Sequence, residues 1–435
     1  MKRIYSETEN VYDAANRRLK YIFDNFEKIY LSFSGGKDSG ILLNLCLDYM
    51  KRNDLKRKIG VMIMDNECNF TYSRDFMLRI IDANLDYIEP MWCCLPLTLP
   101  CTVSSYQADW TCWDNAKRDL WVSERPDRDY VIHWDNHEMP FLREYMLDKD
   151  FYDEFTGWYG DGRTCANLIG IRTDESLNRF RTIMNEAKKT HGGQMWTREN
   201  GELAFNCYPI YDWKTKDVWT ANGLFEWDYN KLYDIFYKSG MKLGTMRVAS
   251  PFMSESKSSL NMYRVINPDI WARLCARVHG ANFAATYGKQ LSYRHINLPE
   301  GHTWKSFVKF LINTLPESSS KNFKQRFTQS LIFWARVGRG LPDSIIEQLK
   351  GKVRYRLNGT TPHGGNDLRR VRIASVPDHV DFLKSDAGSV TSWKRFALTV
   401  LKNDHTCKYL GLMPTKEQAE RQRHIQKKYA PVDKK

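Results

Sequence analysis

The stretch from Lys28 to Met50, KIYLSFSGGKDSGILLNLCLDYM, decides the fold of this chain. Residues 29–33 form a short apolar run that favours a β-strand, and the apolar residues after position 40 recur at helical spacing. The hexapeptide between them is Ser34-Gly35-Gly36-Lys37-Asp38-Ser39. A strand, a glycine turn and a helix in this order predict a loop whose free backbone N–H groups lie at the positive end of a helix dipole. Such a loop attracts phosphate.

The side chains of this loop suit a nucleotide that carries Mg²⁺. Lys37 supplies a mobile positive charge, and Ser34 and Ser39 supply hydroxyl donors. A carboxylate beside phosphate needs a cation between them, so Asp38 predicts a bound Mg²⁺. A Walker A loop is excluded because Leu31 stands where its first glycine belongs and Asp38 follows the lysine where Ser or Thr should stand. The alternative is a glycine-rich turn without a ligand.

The composition of the 435 residues predicts a cytoplasmic protein of two or three domains. Hydrophobic residues make up 42% of the chain, which suffices for real cores, and no apolar run approaches the length of a membrane span. The N-terminal residues are too polar for a signal peptide. The ten cysteines show no regular framework, so reduced thiols are expected.

The charge of the chain is distributed unevenly between its two halves. Residues 251–435 carry 32 Lys and Arg against 14 Asp and Glu, which leaves 33 against 38 for residues 1–250. A domain boundary near residue 250 is therefore expected, with a net charge of +18 on the second half. Such an asymmetry predicts a polyanionic partner, most often DNA or RNA. A solvated basic surface that only keeps the protein soluble is the alternative.

Two later segments place polar side chains at the ends of predicted strands. Residues 58–64 predict a buried parallel strand that ends at Asp65, and a second such strand ends at Gly170 and Arg172. In doubly wound sheets the carboxyl ends of the strands carry the ligand site, so Asp65 is expected near the loop at 34–39. A loop-capping role is the alternative for Asp65. Arg172 is expected to fork onto a phosphate, and Arg179 adds charge on the next helix.

The segment from Trp92 to Trp134 is rich in tryptophan and cysteine. Its four thiols belong to Cys93, Cys94, Cys101 and Cys112, and their spacing matches no common metal-ligand pattern. Buried or loop thiols are therefore favoured over zinc or an iron–sulfur cluster. The tryptophans favour packing over the stacking of nucleobases.

Three motifs carry a resemblance to a known superfamily. The hexapeptide at 34–39 resembles the pyrophosphate loop of the N-type ATP pyrophosphatases, which include phosphoadenylylsulfate (PAPS) reductases, FAD synthetases and tRNA thiolation enzymes. The other two motifs closely resemble signatures of PAPS reductases and ATP sulfurylase small subunits: Gly170-Ile171-Arg172 with Glu175, Ser176 and Arg179, and Pro209-Ile210 with Asp212, Trp213, Asp217, Val218 and Trp219.

This resemblance implies an α/β fold with a doubly wound parallel sheet of the HUP, or adenine nucleotide α-hydrolase-like, type. It implies ATP and Mg²⁺ as ligands, and cleavage of ATP between its α and β phosphates to adenylate an acceptor. The residues it implies for catalysis are Lys37, Asp38, Asp65 and Arg172, with Asp38 and Asp65 near the metal. Those it implies for nucleotide binding are Ser34, Gly35, Gly36, Lys37, Asp38, Ser39, Asp65, Gly170, Arg172 and Arg179.

Departures from the reductases limit what the resemblance implies. PAPS reductases use a cysteine in a Glu-Cys-Gly-Leu-His tail, whereas this chain has no thiol after Cys407. Their loop is also degenerate where this chain has an intact one, so sulfonyl reduction through a C-terminal thiol is disfavoured. Two alternatives to adenylation stay open: sulfur chemistry of the PAPS reductase or sulfotransferase type, including DNA modification, and ATP sensing without turnover.

The second half is expected to be a basic, mainly helical domain with short strands. Helices are predicted at residues 267–280, from 304 and over 327–337, with a polar loop at 316–320, a flexible connector at 358–366 and a last helix from Pro414. Five arginines on the short strands are candidates for contacts with nucleic acid if they form one face: Arg354, Arg356, Arg369, Arg370 and Arg372.

The end of this half resembles a second family. Residues 393–395 and 401–408, WKR and LKNDHTCK, resemble the C-terminal domain of the immunoglobulin-binding regulator A family, which is found in bacterial and prophage-borne proteins. That resemblance implies a ParB/sulfiredoxin-like protein partner and a role in transcriptional coactivation. It identifies no reaction.

Overall fold

The computed structural model describes residues 8–185, 188–248, 250–253, 260–282, 284–285, 298–363, 366–383 and 390–412. Contacts between residues divide the chain into two compact units. The first consists of Met1–Leu99, Thr111–Pro251 and Ser259–Arg277, and the second of Pro100–Trp110, Phe252–Ser258 and Val278–Lys435. The domain boundary expected near residue 250 stays a prediction, since residues 100–110 and 259–277 change sides in this division.

The first unit is built on a seven-stranded sheet. Its strands are β1 (Lys28–Ser32), β2 (Ile59–Met64), β3 (Ile88–Cys94), β6 (Val131–His133), β7 (Cys165–Ile169), β8 (Thr197–Glu199) and β9 (Ala204–Cys207). They lie in the order β6-β3-β2-β1-β7-β9-β8, and all neighbours are parallel except the edge pair of β8 and β9. Two short strands, β4 (Thr98–Pro100) and β5 (Asp109–Thr111), form a separate sheet. The α/β class with a doubly wound, mostly parallel sheet is thus confirmed.

The chain reverses its direction of winding at β1. From β1 it proceeds outward through β2 and β3 to β6, and it then returns to place β7 on the other side of β1. In the parallel register Leu31 of β1 lies opposite Val61 of β2 and Leu168 of β7. In open α/β sheets ligands bind at the carboxyl ends of the strands where the order reverses. Here that position is the loop after β1 and the loop after β7.

Nine helices of the first unit, within the described residues, surround this sheet: α1 (Val11–Asn25), α2 (Lys37–Arg52), α3 (Thr71–Asp82), α4 (Asp148–Gly160), α5 (Leu177–Ile183), α6 (Thr215–Leu224), α7 (Leu232–Lys238), α8 (Leu260–Ile266) and α9 (Pro268–Arg277). The central strands β1 and β2 are buried along most of their length because helices cover both faces of a parallel sheet. Helix α1 begins after Asn10, whose side chain accepts a hydrogen bond from the Asp13 N–H.

The second unit combines helices with a small antiparallel sheet. Its described helices are α10 (Trp304–Thr314), α11 (Glu317–Arg336), α12 (Asp343–Leu349) and α13 (Trp393–Leu401), and its strands are β10 (Arg339–Leu341), β11 (Arg356–His363) and β12 (Asn366–Arg372). The sheet has the order β10-β12-β11. One apolar core joins α10, α11 and α13 around Phe327 and Phe396, and another joins the sheet to α12 around Leu349 and Val371.

Two expectations for this unit are wrong. The polar loop predicted at residues 316–320 is the first turn of α11, where Pro316 occupies the N-cap and the serines extend the helix. Pro suits the start of a helix because its missing N–H has no partner there in any case. The predicted connector at 358–366 is mostly strand, because β11 runs to His363 and β12 begins at Asn366. The helix predicted from Pro414 lies outside the described residues.

No helix in the described part of the chain is long and apolar enough to cross a membrane.

Candidate functional site

The loop after β1 is a buried glycine turn that leads directly into α2. Gly35 has a φ of +67°, and Gly36 occupies the N-cap of α2 without any side-chain cap. A Cβ atom on Gly35 would lie 2.8 Å from the Met77 side chain of α3, so both the conformation and the packing require glycine there. The N-cap residue therefore offers no side chain to the first N–H groups of α2, although the Lys37 N–H is accepted by the Tyr233 hydroxyl.

The hydroxyl and amino groups of the loop are linked to one another and to the segment near residue 246. The Oγ atoms of Ser34 and Ser39 lie 3.0 Å apart, and Ser39 Oγ donates to the Gly36 carbonyl at 3.2 Å. The ammonium group of Lys37 is buried and donates to the carbonyl of Met246 at 3.2 Å. The loop is thus held in one conformation by its own side chains.

The loops after β1 and β7 meet at Asp38. The Nε of Arg172 donates to Asp38 Oδ1 at 2.6 Å, and the Lys37 Nζ lies 3.2 Å from Asp38 Oδ2. Gly170 lies so close to this turn that a Cβ on it would be 2.7 Å from the Asp38 carbonyl oxygen. Two cations therefore hold one carboxylate at the point where the sheet reverses its order.

The guanidinium group of Arg172 is buried and forms its contacts with other groups of the protein. Its side chain is 1% exposed, and its terminal nitrogens contact the Trp213 carbonyl at 3.4 Å and Thr215 Oγ1 at 3.3 Å. Asp174 lies 3.8 Å from the same group. This arrangement fixes the position of Asp38, and direct contact between Arg172 and a phosphate stays a prediction.

Asp65 follows β2, one strand away from the loop, and its carboxylate is fully buried. Oδ1 accepts from the Glu67 N–H and the Asn69 amide, and Oδ2 accepts from the Trp92 indole at 2.9 Å. Arg74 lies 3.6 Å from Oδ2. Burial raises the pKa of Asp65, and the Arg74 charge and these donors oppose that rise. The proximity of Asp65 to a metal stays a prediction, since both oxygens already accept hydrogen bonds.

The remaining motif residues occupy the rim and the supporting helices. Arg179 is half-exposed and lies 3.6 Å from Glu175, which also pairs with Arg247. Asp212 is buried and accepts two hydrogen bonds from the guanidinium group of Arg18, at 2.8 and 2.6 Å. Asp217 accepts from the Lys214 N–H at the start of α6. Asp212 thus positions Arg18, and Asp217 caps the start of α6.

Two residues that support the loop were not found from the sequence. Tyr233 is buried, and its hydroxyl accepts the Lys37 N–H at 2.9 Å. Asn230 donates to the Gly35 carbonyl and to Ser73 Oγ, each at 2.9 Å. Both lie almost 200 residues from the loop and belong to none of the motifs. Only the packing of α7 against α2 and α3 could reveal them.

The tryptophan-rich segment packs against the loop after β2 and holds no metal cluster in the part of the chain that the structure describes. All ten cysteines are free thiols, and all except Cys275 are buried. Burial raises the pKa of Cys93 and of Cys165 to about 12. Such thiols are protonated and weakly nucleophilic at neutral pH. The interpretation of these cysteines as buried thiols agrees with this placement.

The five arginines of the second unit do not form one face. Directly opposed residues in an antiparallel pair point to the same side, and Arg356 opposes Arg372. Arg370 alternates with Val371 and joins them on the outer side, whereas Arg369 lies on the other side and pairs with Asp343 at 2.7 Å. Arg354 precedes β11. The alternation of side chains along a strand therefore leaves three arginines on a shared surface.

Comparisons with known proteins match both halves of the chain. Residues 156–247 match the phosphoadenosine phosphosulfate reductase domain, and residues 240–421 match a domain of unknown function, DUF3440. The uncharacterized protein YbdN of Escherichia coli (strain K12) is 30% identical over 414 residues, which cover 94% of this chain and 91% of that protein.

Solved structures with low sequence identity align with part of the chain. The PAPS reductase of Candida auris in a phosphate complex is 11% identical, with 57% of this chain and 98% of that chain covered and a TM-score of 0.30. The FMN adenylyltransferase of Candida glabrata with FAD and inorganic pyrophosphate is 15% identical, with 53% and 64% covered and a TM-score of 0.31. The U34-tRNA thiolase NcsA of Methanococcus maripaludis is 12% identical, with 66% and 80% covered and a TM-score of 0.30.

Proposed function

This chain belongs to the family of the Escherichia coli protein YbdN, and we propose that its first unit binds ATP at the loop 34–39 and cleaves it between the α and β phosphates. One observation carries the proposal: a glycine turn leads into α2 at the reversal point of the sheet, with Lys37, Asp38 and Arg172 assembled around it. Helix N-termini of this kind bind phosphate groups, and an adjacent lysine adds charge. The match to the PAPS reductase domain supports a nucleotide as the ligand.

The residues present fit a nucleotide better than a metal alone. Gly35 and Gly36 have no side chains that would keep a phosphate oxygen from the backbone of the turn, and the Tyr233 hydroxyl that accepts the Lys37 N–H would have to give up that hydrogen bond to a phosphate. Asp38 is the carboxylate that would share Mg²⁺ with phosphate oxygens, since its side chain is 13% exposed. Mg²⁺ often takes only one or two carboxylates and completes its octahedron with phosphate and water. Asp65 would act indirectly, because protein donors already occupy its two oxygens.

The proposed reaction is an adenylyl transfer. A nucleophilic oxygen of the acceptor forms a bond to the α phosphorus, the bond to the bridging α–β oxygen breaks, and pyrophosphate leaves with that oxygen. Lys37 stabilises the negative charge that develops on the leaving group, and Arg172 keeps Asp38 in place. The catalytic contribution is mainly charge placed in advance around the phosphates.

Calorimetry with ATP and Mg²⁺ tests the binding step. Replacing Ser34, Lys37 or Asp38 by Ala should weaken ATP about tenfold or more, which corresponds to about 1.4 kcal/mol. A matched control is Lys20→Ala, an exposed lysine of α1 that pairs with Asp24. Unchanged affinity in all three loop variants, on folded protein, would refute the assignment.

The role of Arg172 needs its own pair of variants. Arg172→Ala should reduce ATP affinity or turnover through a displaced Asp38, and because the guanidinium is buried it should also lower the melting temperature. Arg172→Lys keeps the charge but loses the fork, so partial recovery of affinity is expected. A variant that loses stability and binds ATP normally would assign Arg172 to the fold alone.

Two alternative functions of the same site make different predictions. ATP sensing predicts binding without release of pyrophosphate, so a pyrophosphate assay separates it from adenylation. Sulfur chemistry of the PAPS reductase or sulfotransferase type, including DNA modification, predicts transfer of a labelled sulfonyl group. The buried, protonated cysteines favour adenylation over thiol-based reduction.

For the second unit we propose contact with the backbone of DNA or RNA. Arg356 and Arg372 are directly opposed on the outer side of the sheet, where like charges destabilise a strand pair unless an anion lies between them. The excess of 32 basic over 14 acidic residues in 251–435 supports the same reading. The finer roles implied by resemblance, a ParB/sulfiredoxin-like partner and transcriptional coactivation in a bacterial or prophage setting, belong to this proposal.

Charge reversal tests that surface without removing a domain. Arg356→Glu with Arg372→Glu should weaken nucleic-acid binding, and the affinity of the unaltered protein should fall steeply with salt, with a log–log slope of about −0.9 per phosphate contact on duplex DNA. Lys350→Glu, an exposed residue beside α12, is the control. Binding that does not depend on salt, or no binding at low salt, would favour a protein partner instead.

A further inference from the structure

A pocket of about 650 Å³ lies in the first unit between residues 118–125 and helix α9. We propose that it is a second ligand site, which binds a small phosphate or sulfate ester. Its lining includes Arg118 and Arg125 from residues 118–125 and Arg273 from α9. The motifs of the sequence assign it no role, because it uses none of the residues of the loop 34–39.

Three guanidinium groups converge on this pocket. Those of Arg118 and Arg125 lie 5.5 and 5.3 Å from the ring centroid of Trp121, a distance at which the indole holds both in place. Arg273 faces them from α9. Within the described ranges, no carboxylate lies within ion-pair distance of any of the three. Asp119 and Glu124 also line the pocket, so three arginines and two carboxylates leave it a net charge of +1 for a ligand to neutralise.

A neighbouring histidine responds to the same charges. The pKa of His133 is lowered by burial first and then by Arg125, and Arg118 adds to the effect, whereas Asp135 opposes it. The positive potential of the two arginines is thus present at the end of β6. Arginine pairs of this kind suit oxyanions with more than one negative charge, because each guanidinium donates two parallel hydrogen bonds.

The walls of the pocket are anchored to the buried core of the unit. Trp121 packs edge-on against the buried Trp113 with ring centroids 5.1 Å apart, and its indole N–H donates to the Asp114 carbonyl. The next residue, Val122, donates its N–H to Glu67 Oε1 at 2.8 Å. The segment is therefore preorganised before any ligand arrives, which lowers the entropic cost of binding.

The size and the other lining residues restrict the ligand class. A volume near 650 Å³ is far larger than one phosphate ion and lies in the range typical of small organic ligands. Leu120 and Ala276 offer apolar contact, and the carboxylates of Asp119 and Glu124 can accept hydrogen bonds from hydroxyl or amino groups. A phosphate or sulfate ester with a hydroxylated body satisfies all of these groups.

Arginine labelling on the full chain tests the site residue by residue. Phenylglyoxal modification, read by peptide mass spectrometry, is compared without ligand, with inorganic phosphate, with inorganic sulfate and with ribose 5-phosphate. We expect labelling of Arg118, Arg125 and Arg273 to fall several-fold with ribose 5-phosphate and less with the inorganic ions. Arg163, half-exposed and paired with Asp161, should label at the same rate throughout.

Variants distinguish a built site from general screening of charge. Arg273→Ala should raise the ribose 5-phosphate concentration needed for half-maximal protection of Arg118 and Arg125 about tenfold, as expected for loss of one charged hydrogen bond. Arg264→Ala, at an exposed position on α8, should leave it unchanged. Equal protection in both variants, or labelling of the three arginines unchanged by all three probes, would overturn the proposal.

The same variants separate this proposal from ATP binding at the loop. Calorimetry with ATP on Arg273→Ala should give the affinity of the unaltered protein. If protection and ATP affinity were both lost in Arg273→Ala and kept in Arg264→Ala, the pocket would be part of the nucleotide site and the second site would be refuted. Failure of ATP to bind the unaltered chain, with protection retained, would refute the proposed function alone.

Discussion

Two loops at the carboxyl ends of adjacent strands use the same kinds of residue in opposite ways. The loop after β1 contains Gly35 at φ +67° and Asp38, and the loop after β2 contains Asp65 and Glu67 at φ +69°. Asp38 is partly exposed and held by two cations. Glu67 is completely buried, and its two oxygens accept the N–H groups of Trp113 and Val122 at 2.7 and 2.8 Å.

The difference shows that two neighbouring loops at one edge of a sheet can have different roles. Lys37 and Arg172 hold the first carboxylate, which stays partly exposed, whereas backbone donors and burial fix the second loop against the tryptophan-rich segment. A glycine at positive φ costs little, but a glutamate there costs roughly 1 kcal/mol, which its hydrogen bonds must offset. We propose that the first loop binds a ligand, whereas the second stabilises the fold. The predictions below test that division.

Removing the buried carboxylate should have the largest effect. Glu67→Ala leaves two buried N–H groups without acceptors, each at roughly 1–3 kcal/mol, so we expect a loss of roughly 2–6 kcal/mol in the free energy of unfolding. Urea denaturation measures it. Glu89→Ala, at an exposed position of β3, is the control. A loss below about 1 kcal/mol would mean that these hydrogen bonds are dispensable, against their usual cost when broken.

The second prediction concerns pH. Burial raises the pKa of Glu67 from 4.5 to about 7, so between these values the folded protein keeps a proton that the unfolded chain releases. The contribution of Glu67 to stability is therefore complete below pH 4.5 and falls by roughly 3 kcal/mol as pH rises to about 7. The unfolding free energy is measured across this range for the unaltered chain and for Glu67→Gln. The value for the unaltered chain minus that for Glu67→Gln should fall by this amount as pH rises.

Using the difference between the two proteins removes the titration of all other carboxyl groups. The amide of Glu67→Gln keeps the shape of the side chain and does not titrate, although its NH₂ group opposes one backbone donor at a cost that is constant with pH. A difference that stays flat from pH 4.5 to 7 would contradict a raised pKa for Glu67.

The third prediction compares the two aspartates directly. Asp38→Asn should weaken ATP about tenfold, or about 1.4 kcal/mol, and should lower the melting temperature less than Asp65→Asn does, because its carboxylate is partly exposed and the buried Arg172 keeps Asp174 at 3.8 Å. Asp65→Asn should do the reverse, since three protein donors lose a charged acceptor. Calorimetry and thermal denaturation on both variants give the two readouts. If Asp65→Asn weakened ATP binding and Asp38→Asn mainly lowered the melting temperature, the loop after β2 would be the functional one and the loop after β1 the structural one.

The smallest effect is expected from Tyr233→Phe. The change removes only the hydroxyl that accepts the Lys37 N–H, so stability should fall by roughly 0.5–1.5 kcal/mol. ATP affinity should not decrease, because the freed N–H at the start of α2 can donate to a phosphate oxygen. A tenfold loss of ATP affinity would instead make the Tyr233 hydroxyl a ligand contact, comparable with Asp38.

Much of the first unit could be predicted because its signals are local. The apolar runs at 29–33 and 58–64 specify buried parallel strands, and two glycines before Lys37 specify a turn into a helix. The sequence places Arg172 at the mouth of the sheet, where it lies; its Nε donates to Asp38, and its contact with a phosphate stays a prediction. A motif predicts the backbone position of a residue in the fold, but it does not predict which neighbouring group its side chain contacts.

The second unit shows where local reasoning is weaker. The serines at 318–320 favour turns by themselves, yet they extend α11 because burial of Ser319 and Ser320 against the core decides the conformation. The residues after Leu357 contain a glycine and two threonines that favour a loop or a strand equally, and pairing with β12 selects the strand. The acceptor, the protein or nucleic-acid partner and the pocket ligand are proposals, because each depends on a molecule that binds to the folded chain.

The sequence by itself determined the strand, glycine turn and helix at 28–50, the parallel sheet, and the chemistry of a phosphate loop, because each depends on residues that are neighbours along the chain. Packing placed Lys37 and Arg172 around Asp38, and it placed two buried N–H groups, with Arg277 at 4.0 Å, around Glu67. It also brought Asn230 and Tyr233 to the loop and three arginines to one pocket. Such contacts join residues far apart in the chain, and burial, charge and hydrogen bonding at those points follow from packing rather than from local sequence.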